Sequence, residues 1–166
     1  GQFNENLVRA QDYEFNQRII KSGGTIWINP KITATYYNQP SLIAFLKKIF
    51  FKEAPYNSYM WYVAPYSFSL RHSITLFFVL GLFCGLFLSK LSNFIFFPFI
   101  TVMISYFSLA LFFSFQQAKR YKYIGHVFIL PFLFFIFHLL HGMGVLIGLL
   151  LILIRLIANK PPLPQS

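Results

Sequence analysis

Only four side chains in the sequence carry a carboxylate, and two of them, Asp12 and Glu14, lie close together in its first polar segment. On a regular helix, residues two apart are separated by about 200°, so these side chains would not form a paired-carboxylate site. Asp12 falls at the expected start of a helix, where an acidic side chain more often caps backbone N–H groups than acts as a base. Alternatively, Asp12 projects into a cleft while Glu14 makes structural contacts.

Histidines are the next candidates for chemistry. His138 and His141 lie in the last apolar run at a spacing that places both on one helix face. No acid or thiol completes a site with them, so we predict no metal centre in this chain and favour a helix–helix hydrogen bond or a position facing a preceding domain. Gly144 and Gly148 predict a small-residue packing seam. The single cysteine, Cys84, has no disulfide partner and no metal-ligand spacing.

The elements that position the acids are indicated by periodicity and by turn residues. A helix is predicted from Asp12 to Lys21, because its apolar residues recur at helical spacing and two glycines follow its end. Two short strands are predicted next, at residues 25–28 and 31–37, from their content of Ile, Thr and Tyr.

An amphipathic helix is predicted to begin at Pro40-Ser41. Its apolar residues recur at positions i, i+3, i+4, i+7 and i+8, and its lysines lie off that stripe: Leu42, Phe45, Leu46, Ile49 and Phe50 against Lys47, Lys48 and Lys52. This pattern is typical of a helix lying in the membrane interface, but a helix packed on a preceding domain gives it too. Residues 53–66 are predicted to form a loop rich in the aromatic residues that collect at lipid head groups.

The rest of the chain is dominated by three long apolar runs. Apolar residues make up 57% of the sequence, against about 45–50% in soluble domains. We predict three transmembrane helices, at about 73–89, 94–115 and 127–154. The last could tilt, or break near Pro131 or Gly142. Within the Pro-rich tail, residues 156–166, the stretch from Lys160 to Pro164 is predicted to be extended.

The formal net charge of +10 is unevenly distributed along the chain. Basic residues flank the apolar runs and form no single stripe, so we expect membrane lipids as partners, through anionic head groups, and no nucleic acid. Cytoplasmic loops carry the excess of Lys and Arg. On this rule the N-terminal part and the loop at residues 116–126 face the cytoplasm, while the first hairpin and the tail face outward.

Two segments resemble a known family. Residues 3–18, FNENLVRAQDYEFNQR, and residues 23–30, GGTIWINP, are similar to the end of the catalytic domain in bacterial family 2 glycosyltransferases, above all the succinoglycan-biosynthesis type. The family phrases are F-D-E-x-L-x-R-x-E-D-x-E-L-x-x-R and G-x-x-I-x-x-x-P. Gln11 departs from the first acid of the family's Glu-Asp pair, and Lys48 and Lys52 stand where Gln and Tyr are usual.

The resemblance implies a GT-A fold, so the expected fold class is an α/β remnant followed by an α-helical transmembrane region of about three spans. It implies inverting transfer of a sugar from a nucleotide-sugar donor to a lipid-linked saccharide acceptor. Asp12 would be the general base, and Gln11, Glu14 and Arg18 would bind substrate. A divalent metal, Mg²⁺ or Mn²⁺, is expected through an Asp-x-Asp motif upstream of this chain, which itself contains none.

We therefore expect the C-terminal part of a glycosyltransferase of the bacterial inner membrane, acting in surface or exopolysaccharide synthesis and inactive without a donor-binding half. The predicted division is residues 1–40 as the end of the catalytic domain, 41–72 as interface helix and aromatic loop, 73–155 as the transmembrane part and 156–166 as the tail. The alternative is a non-enzymatic membrane anchor or an assembly partner of a polysaccharide machine.

Overall fold

The computed structural model describes residues 2–161; Gly1 and residues 162–166, which include part of the predicted tail, lie outside the described range. In chain order the elements are helix α1 (Gln11–Lys21), α2 (Leu42–Lys48), a π-helical turn (Ile49–Glu53), α3 (Ala54–Val63), a 3-10 turn (Pro65–Ser67), α4 (Leu70–Leu88), α5 (Asn93–Tyr121) and α6 (Gly125–Ile157). Two compact units are formed, one within residues 1–74 and 141–166 and the other by residues 75–140. The predicted division into four segments stays a prediction.

Helix α1 confirms the helix predicted in the first polar segment, and it begins one residue earlier, at Gln11. Its end has the hydrogen-bond pattern of a glycine stop. The N–H of Gly24 donates to the carbonyl of Ile19 at 2.9 Å, and the N–H of Gly23 donates to that of Ile20 at 3.1 Å. Gly23 has a φ of +83°, a left-handed conformation that would be strained for a residue with a side chain.

The predicted strands at residues 25–28 and 31–37 are not formed, and residues 2–161 contain no strand at all. The expected α/β remnant is therefore wrong for the described chain. Trp27 and Tyr37 are each 90% exposed in this irregular segment. A strand needs a neighbour to pair with its N–H and C=O groups, and the described residues provide no such edge. Local β preference was not enough without that partner.

The predicted amphipathic helix is confirmed, since the Ser41 hydroxyl caps α2 by accepting a hydrogen bond from the N–H of Ala44 at 3.2 Å. The loop predicted over residues 53–66 is wrong for most of its length, because α3 occupies Ala54–Val63. Pro55 lies in the first turn of α3, where its missing N–H costs little. The π-helical turn joins α2 to α3 without an intervening loop.

Helix α3 packs on the second half of α6. A Cβ added at Gly148 would lie 2.8 Å from the Cα of Pro55, and Gly144 is similarly close to the start of α3. The hydroxyl of Ser58 donates to the carbonyl of Val145 at 2.8 Å, and Ser58 is fully buried. The predicted small-residue seam at 144 and 148 is therefore confirmed.

The buried core of this unit joins elements that are far apart in sequence. It consists of Leu7 before α1, Tyr59 and Met60 on α3, and Ile152 near the end of α6. Leu7 and Met60 are each 1% exposed. The N-terminal segment and the end of α6 therefore lie in one hydrophobic cluster.

Three helices are long and apolar enough to cross a membrane: α4, α5 and α6. They confirm the predicted apolar helices and make the chain a multi-pass membrane protein. Helix α5 continues through residues 116–121, which were predicted to be a loop, because Gln, Ala, Lys and Arg all favour helix. Lys119 and Arg120 in its last turn also suit the helix dipole. Helix α6 is unbroken at Pro131 and at Gly142.

Candidate functional site

Asp12, the predicted general base, lies in the first turn of α1 with its side chain exposed. Ala10 occupies the N-cap position, in a left-handed conformation with a φ of 58° and with no side-chain cap. The expectation that Asp12 caps the helix is therefore wrong. Among residues 2–161, the Asp12 carboxylate makes no hydrogen bond or ion pair. Its catalytic role stays a prediction.

Glu14 has the opposite environment, since it is fully buried. Arg18, one helical turn later, places its Nε 3.1 Å and its Nη2 3.4 Å from the two carboxylate oxygens. The Nε contact is ionic and not a directed hydrogen bond. The hydroxyl of Tyr66 also donates to Glu14. The predicted divergence of Asp12 and Glu14 around the helix is confirmed, as one carboxylate faces solvent and the other faces protein.

This buried cluster anchors α1 to the segment before α4. The hydrogen bond to Glu14 raises the pKa of Tyr66, because it holds the proton of the phenol, and burial raises it further. Arg18 additionally donates to the backbone carbonyl of Gln2 at 2.7 Å. The predicted substrate-binding roles of Glu14 and Arg18 remain untested, and both side chains already have protein partners.

Gln11, the third predicted substrate-binding residue, is half-buried at the start of α1. Its side-chain amide donates to the backbone carbonyl of Leu7. This contact fixes the approach of the N-terminal segment to the helix, and it involves a different face from the exposed Asp12 carboxylate. The structure thus keeps Gln11, Glu14 and Arg18 in protein contacts and leaves Asp12 open.

A second polar cluster centres on Glu53 at the end of the π-helical turn. Its Oε1 lies 3.2 Å from Nη1 of Arg9 and 3.4 Å from Nζ of Lys48. Lys48 also donates to the hydroxyl of Tyr36 at 3.4 Å. These contacts raise the pKa of Lys48, first through Tyr36 and then through Glu53. Sequence reasoning missed this cluster, because its members are separated by up to 44 residues.

Both histidines of the last apolar run make the helix-to-helix contacts that were predicted. His141 Nε2 lies 3.1 Å from Nδ2 of Asn57 on α3. His138 Nδ1 lies 2.8 Å from the hydroxyl of Tyr106 on α5. No group of three His, Cys, Asp or Glu side chains within residues 2–161 is placed to hold a metal ion. The described residues therefore do not fit a divalent metal.

Sequence comparison gives a partial match to one curated enzyme. The chain is similar to dolichyl N-acetyl-alpha-D-glucosaminyl phosphate 3-beta-D-2,3-diacetamido-2,3-dideoxy-beta-D-glucuronosyltransferase of Methanococcus voltae. The two are 37% identical over 46 residues, which is 28% of this chain and 14% of the relative. The similarity thus spans a small part of a glycosyltransferase of a lipid-linked saccharide pathway. No protein-family profile and no solved structure matches the chain.

Proposed function

We propose that the chain is part of a membrane glycosyltransferase that transfers a sugar from a nucleotide-sugar to a lipid-linked saccharide acceptor. The observation that carries this proposal is the 46-residue similarity to a glucuronosyltransferase whose name gives a dolichyl-linked sugar phosphate. The three apolar helices support it, since a lipid-linked acceptor must be met at a membrane. The proposal includes family 2 membership and a role in surface or exopolysaccharide synthesis, both supported by the resemblance of α1 and its flanking residues to that family. The GT-A fold is proposed for the enzyme and not for residues 25–37, which form no strand.

In this proposal Asp12 is the general base of an inverting displacement. Its carboxylate accepts the proton of the acceptor hydroxyl while that oxygen attacks the anomeric carbon of the donor. The bond from the anomeric carbon to the nucleoside diphosphate breaks in the same step, and the diphosphate leaves with its electron pair. The exposure of Asp12 supports this role, because a base must reach a hydroxyl from outside the protein.

Any divalent metal in the enzyme is proposed to be held by residues outside this chain, because the described residues do not fit one. A bound metal would offset the charge on the departing diphosphate.

We further propose a bacterial inner membrane location with the N-terminal part in the cytoplasm, where nucleotide-sugars are made. The eight basic residues that precede the first long apolar run support that orientation.

The test is Asp12→Asn in the full-length gene product, assayed in membranes for sugar transfer to lipid-linked saccharides. Loss of a general base lowers the rate by about 10²–10⁴-fold. The acceptor KM should change little, because the amide keeps the shape of the side chain. Asp12 is exposed and unpaired within residues 2–161, so the substitution should leave the thermal unfolding midpoint unchanged.

The matched control is Glu5→Gln, the same carboxylate-to-amide change at another exposed acid of the N-terminal segment. It should retain transfer within about twofold, as most surface substitutions are nearly neutral. Equal rates for Asp12→Asn and the unaltered enzyme would exclude Asp12 as the base. Absence of any sugar transfer by the unaltered gene product would instead favour the non-enzymatic anchor or assembly partner.

A further inference from the structure

A cationic cleft lies along one side of α2 and the π-helical turn. It encloses about 370 Å³, and its wall includes four basic side chains, one amide and one aromatic ring: Arg9, Lys47, Lys48, Lys52, Gln39 and Phe51. The three lysines and Phe51 fall at the spacing of a single helix face, so the cleft follows from the sequence of one helical segment. Arg9 completes it from the segment that precedes α1.

The cleft carries an excess of positive charge that the protein does not neutralise. Glu53 is the carboxylate paired here, and it lies between Arg9 and Lys48. The ammonium groups of Lys47 and Lys52 make no ion pair or hydrogen bond with any residue of the described range. Four cations against one carboxylate leave three positive charges in surplus. Such a surplus attracts a ligand with more than one negative charge.

The surroundings of the cleft indicate what carries that charge. The apolar stripe of the amphipathic helix lies beside the lysine face, and Phe51 within the cleft is 66% exposed. The same helical segment packs on α6, one of the helices long and apolar enough to cross a membrane. Cations beside exposed apolar side chains fit a phosphate attached to a lipid, because the lipid chain can cover the apolar surface.

We propose that the cationic cleft binds the phosphate group of a lipid phosphomonoester or diphosphate. Phosphodiester lipids carry a single negative charge, whereas a phosphomonoester carries nearly two near neutral pH. The inference rests on the proposed function only in identifying the acceptor as a saccharide on a lipid diphosphate, which keeps two negative charges. Binding itself requires no sugar transfer, so it can be measured on the full-length gene product without a sugar donor.

The experiment measures lipid binding by the full-length gene product in phosphatidylcholine nanodiscs. The probes are polyprenyl phosphate, phosphatidylglycerol and inorganic phosphate, each titrated and followed by native mass spectrometry. Polyprenyl phosphate should bind most tightly, and added salt should weaken its binding because salt screens exposed charges. The Lys47→Gln/Lys52→Gln variant should bind about 25-fold more weakly, since each lysine near a membrane surface contributes about fivefold.

The matched control is Lys90→Gln/Lys122→Gln, which removes the same charge from the two turns between the long helices. It should bind polyprenyl phosphate like the unaltered chain. Equal binding by both double variants would overturn the proposal, since the position of the lysines would then not affect lipid binding. Equal affinity for phosphatidylglycerol would overturn it too, by showing general attraction to an anionic surface. Full competition by inorganic phosphate would identify a free anion, and not a lipid, as the ligand.

The two proposals fail separately. If Lys47→Gln/Lys52→Gln raises the acceptor KM of the full-length enzyme and leaves kcat unchanged, the bound lipid is the acceptor. If binding is lost and the acceptor KM is unchanged, the identification with the acceptor is wrong. Neither result alters the test of the general base, which depends on the transfer rate of Asp12→Asn.

Discussion

At the scale of single residues, the two acids of α1 show how one helical turn can separate two kinds of carboxylate. Glu14 is fully buried, and its carboxylate forms an ion pair with Arg18 and accepts a hydrogen bond from the hydroxyl of Tyr66. A buried carboxylate needs such partners, since removing them leaves a charge away from water. Asp12 is exposed and lacks them among the described residues. The buried acid therefore serves the fold, and the exposed acid is the one to which we assign the proposed chemistry.

Tyr66→Phe tests the buried cluster through its pH dependence. The variant should lose about 1 kcal/mol of stability at neutral pH, the typical loss for one hydrogen bond. The folded pKa of Tyr66 is raised, so the stabilisation is fully present below the unfolded value of about 10. It is lost as the pH rises through the folded pKa. The thermal unfolding midpoints of variant and unaltered protein, measured in detergent, should thus converge at alkaline pH.

Tyr62→Phe is the control for that measurement, because Tyr62 is 45% exposed on α3. Its unfolding midpoint should follow the unaltered protein at every pH. A Tyr66→Phe midpoint equal to the unaltered one at neutral pH would show that the hydroxyl contributes nothing to the cluster.

The helical period alone predicted that Asp12 and Glu14 would face different ways, and the two glycines after Ser22 predicted where α1 ends. The partners of Glu14 could only partly be predicted. Arg18 is one turn away and follows from spacing, but Tyr66 lies 52 residues further along the chain. A contact of that separation depends on how α1 and the 3-10 turn are brought together, which no local pattern encodes. The same holds for Arg9 and Glu53.

At the scale of elements, the seam between α3 and α6 depends on two missing side chains. Gly144 and Gly148 let the first turn of α3 approach the α6 backbone. Small residues of this kind permit close contact where helices have no hydrophobic driving force between them. Close approach then allows the buried hydroxyl of Ser58 to reach the Val145 carbonyl. The seam thus couples packing to a hydrogen bond.

Gly148→Ala should destabilise the protein by about 1–3 kcal/mol, the usual cost of overpacking. Its added methyl would meet the Pro55 backbone, which cannot rotate away as a side chain can. Gly81→Ala is the matched control, since a Cβ there meets nothing within 4 Å. That change should be neutral, or favourable by up to about 1 kcal/mol, because alanine is the better helix former. Unfolding midpoints in detergent compare the two, and equal values would contradict a tight seam.

Helices were predicted better than the segments between them. Apolar runs identified α4, α5 and α6, because length and composition decide such helices locally. The strands failed, since a strand requires a partner that residues 2–161 do not supply. The loop at residues 53–66 failed for a different reason: prolines and tyrosines indicated irregular backbone, yet Pro55 fits the first turn of α3. Tertiary contact with α6 then holds that helix in place.

At the scale of the whole molecule, charge and burial give different accounts of the membrane crossing. Three complete crossings would put the N-terminal segment and the tail on opposite sides, as the sequence prediction has it. The structure instead places Leu7 and Ile152 in one core cluster. Ile152 lies near the end of α6, so we expect the N-terminal segment and the end of α6 on the same side of the membrane. We expect an even number of crossings from that contact, and the outward tail expected from charge stays a prediction.

Cysteine labelling tests this arrangement. Lys31→Cys and Ala158→Cys, each in a Cys84→Ser background, introduce single thiols at exposed positions near the two ends. A membrane-impermeant maleimide should label both only after the cells are permeabilised, because we expect both ends on the proposed cytoplasmic side. Labelling of position 158 alone in intact cells would restore three complete crossings and would contradict the Leu7–Ile152 cluster.

The π-helical turn at Ile49–Glu53 sets the rotation of α3, which packs on α6, relative to the lysine face of α2. A π-helical turn holds one residue more than the α-helical turn it replaces. Each residue of an α-helix turns the chain by about 100°. Without that extra residue, everything after Glu53 would be rotated by that angle relative to α2. The lysines of the cationic cleft and the α3 residues of the seam could then not both keep their present directions. The length of this one turn therefore fixes the direction of the lysines relative to the packing of α3 on α6.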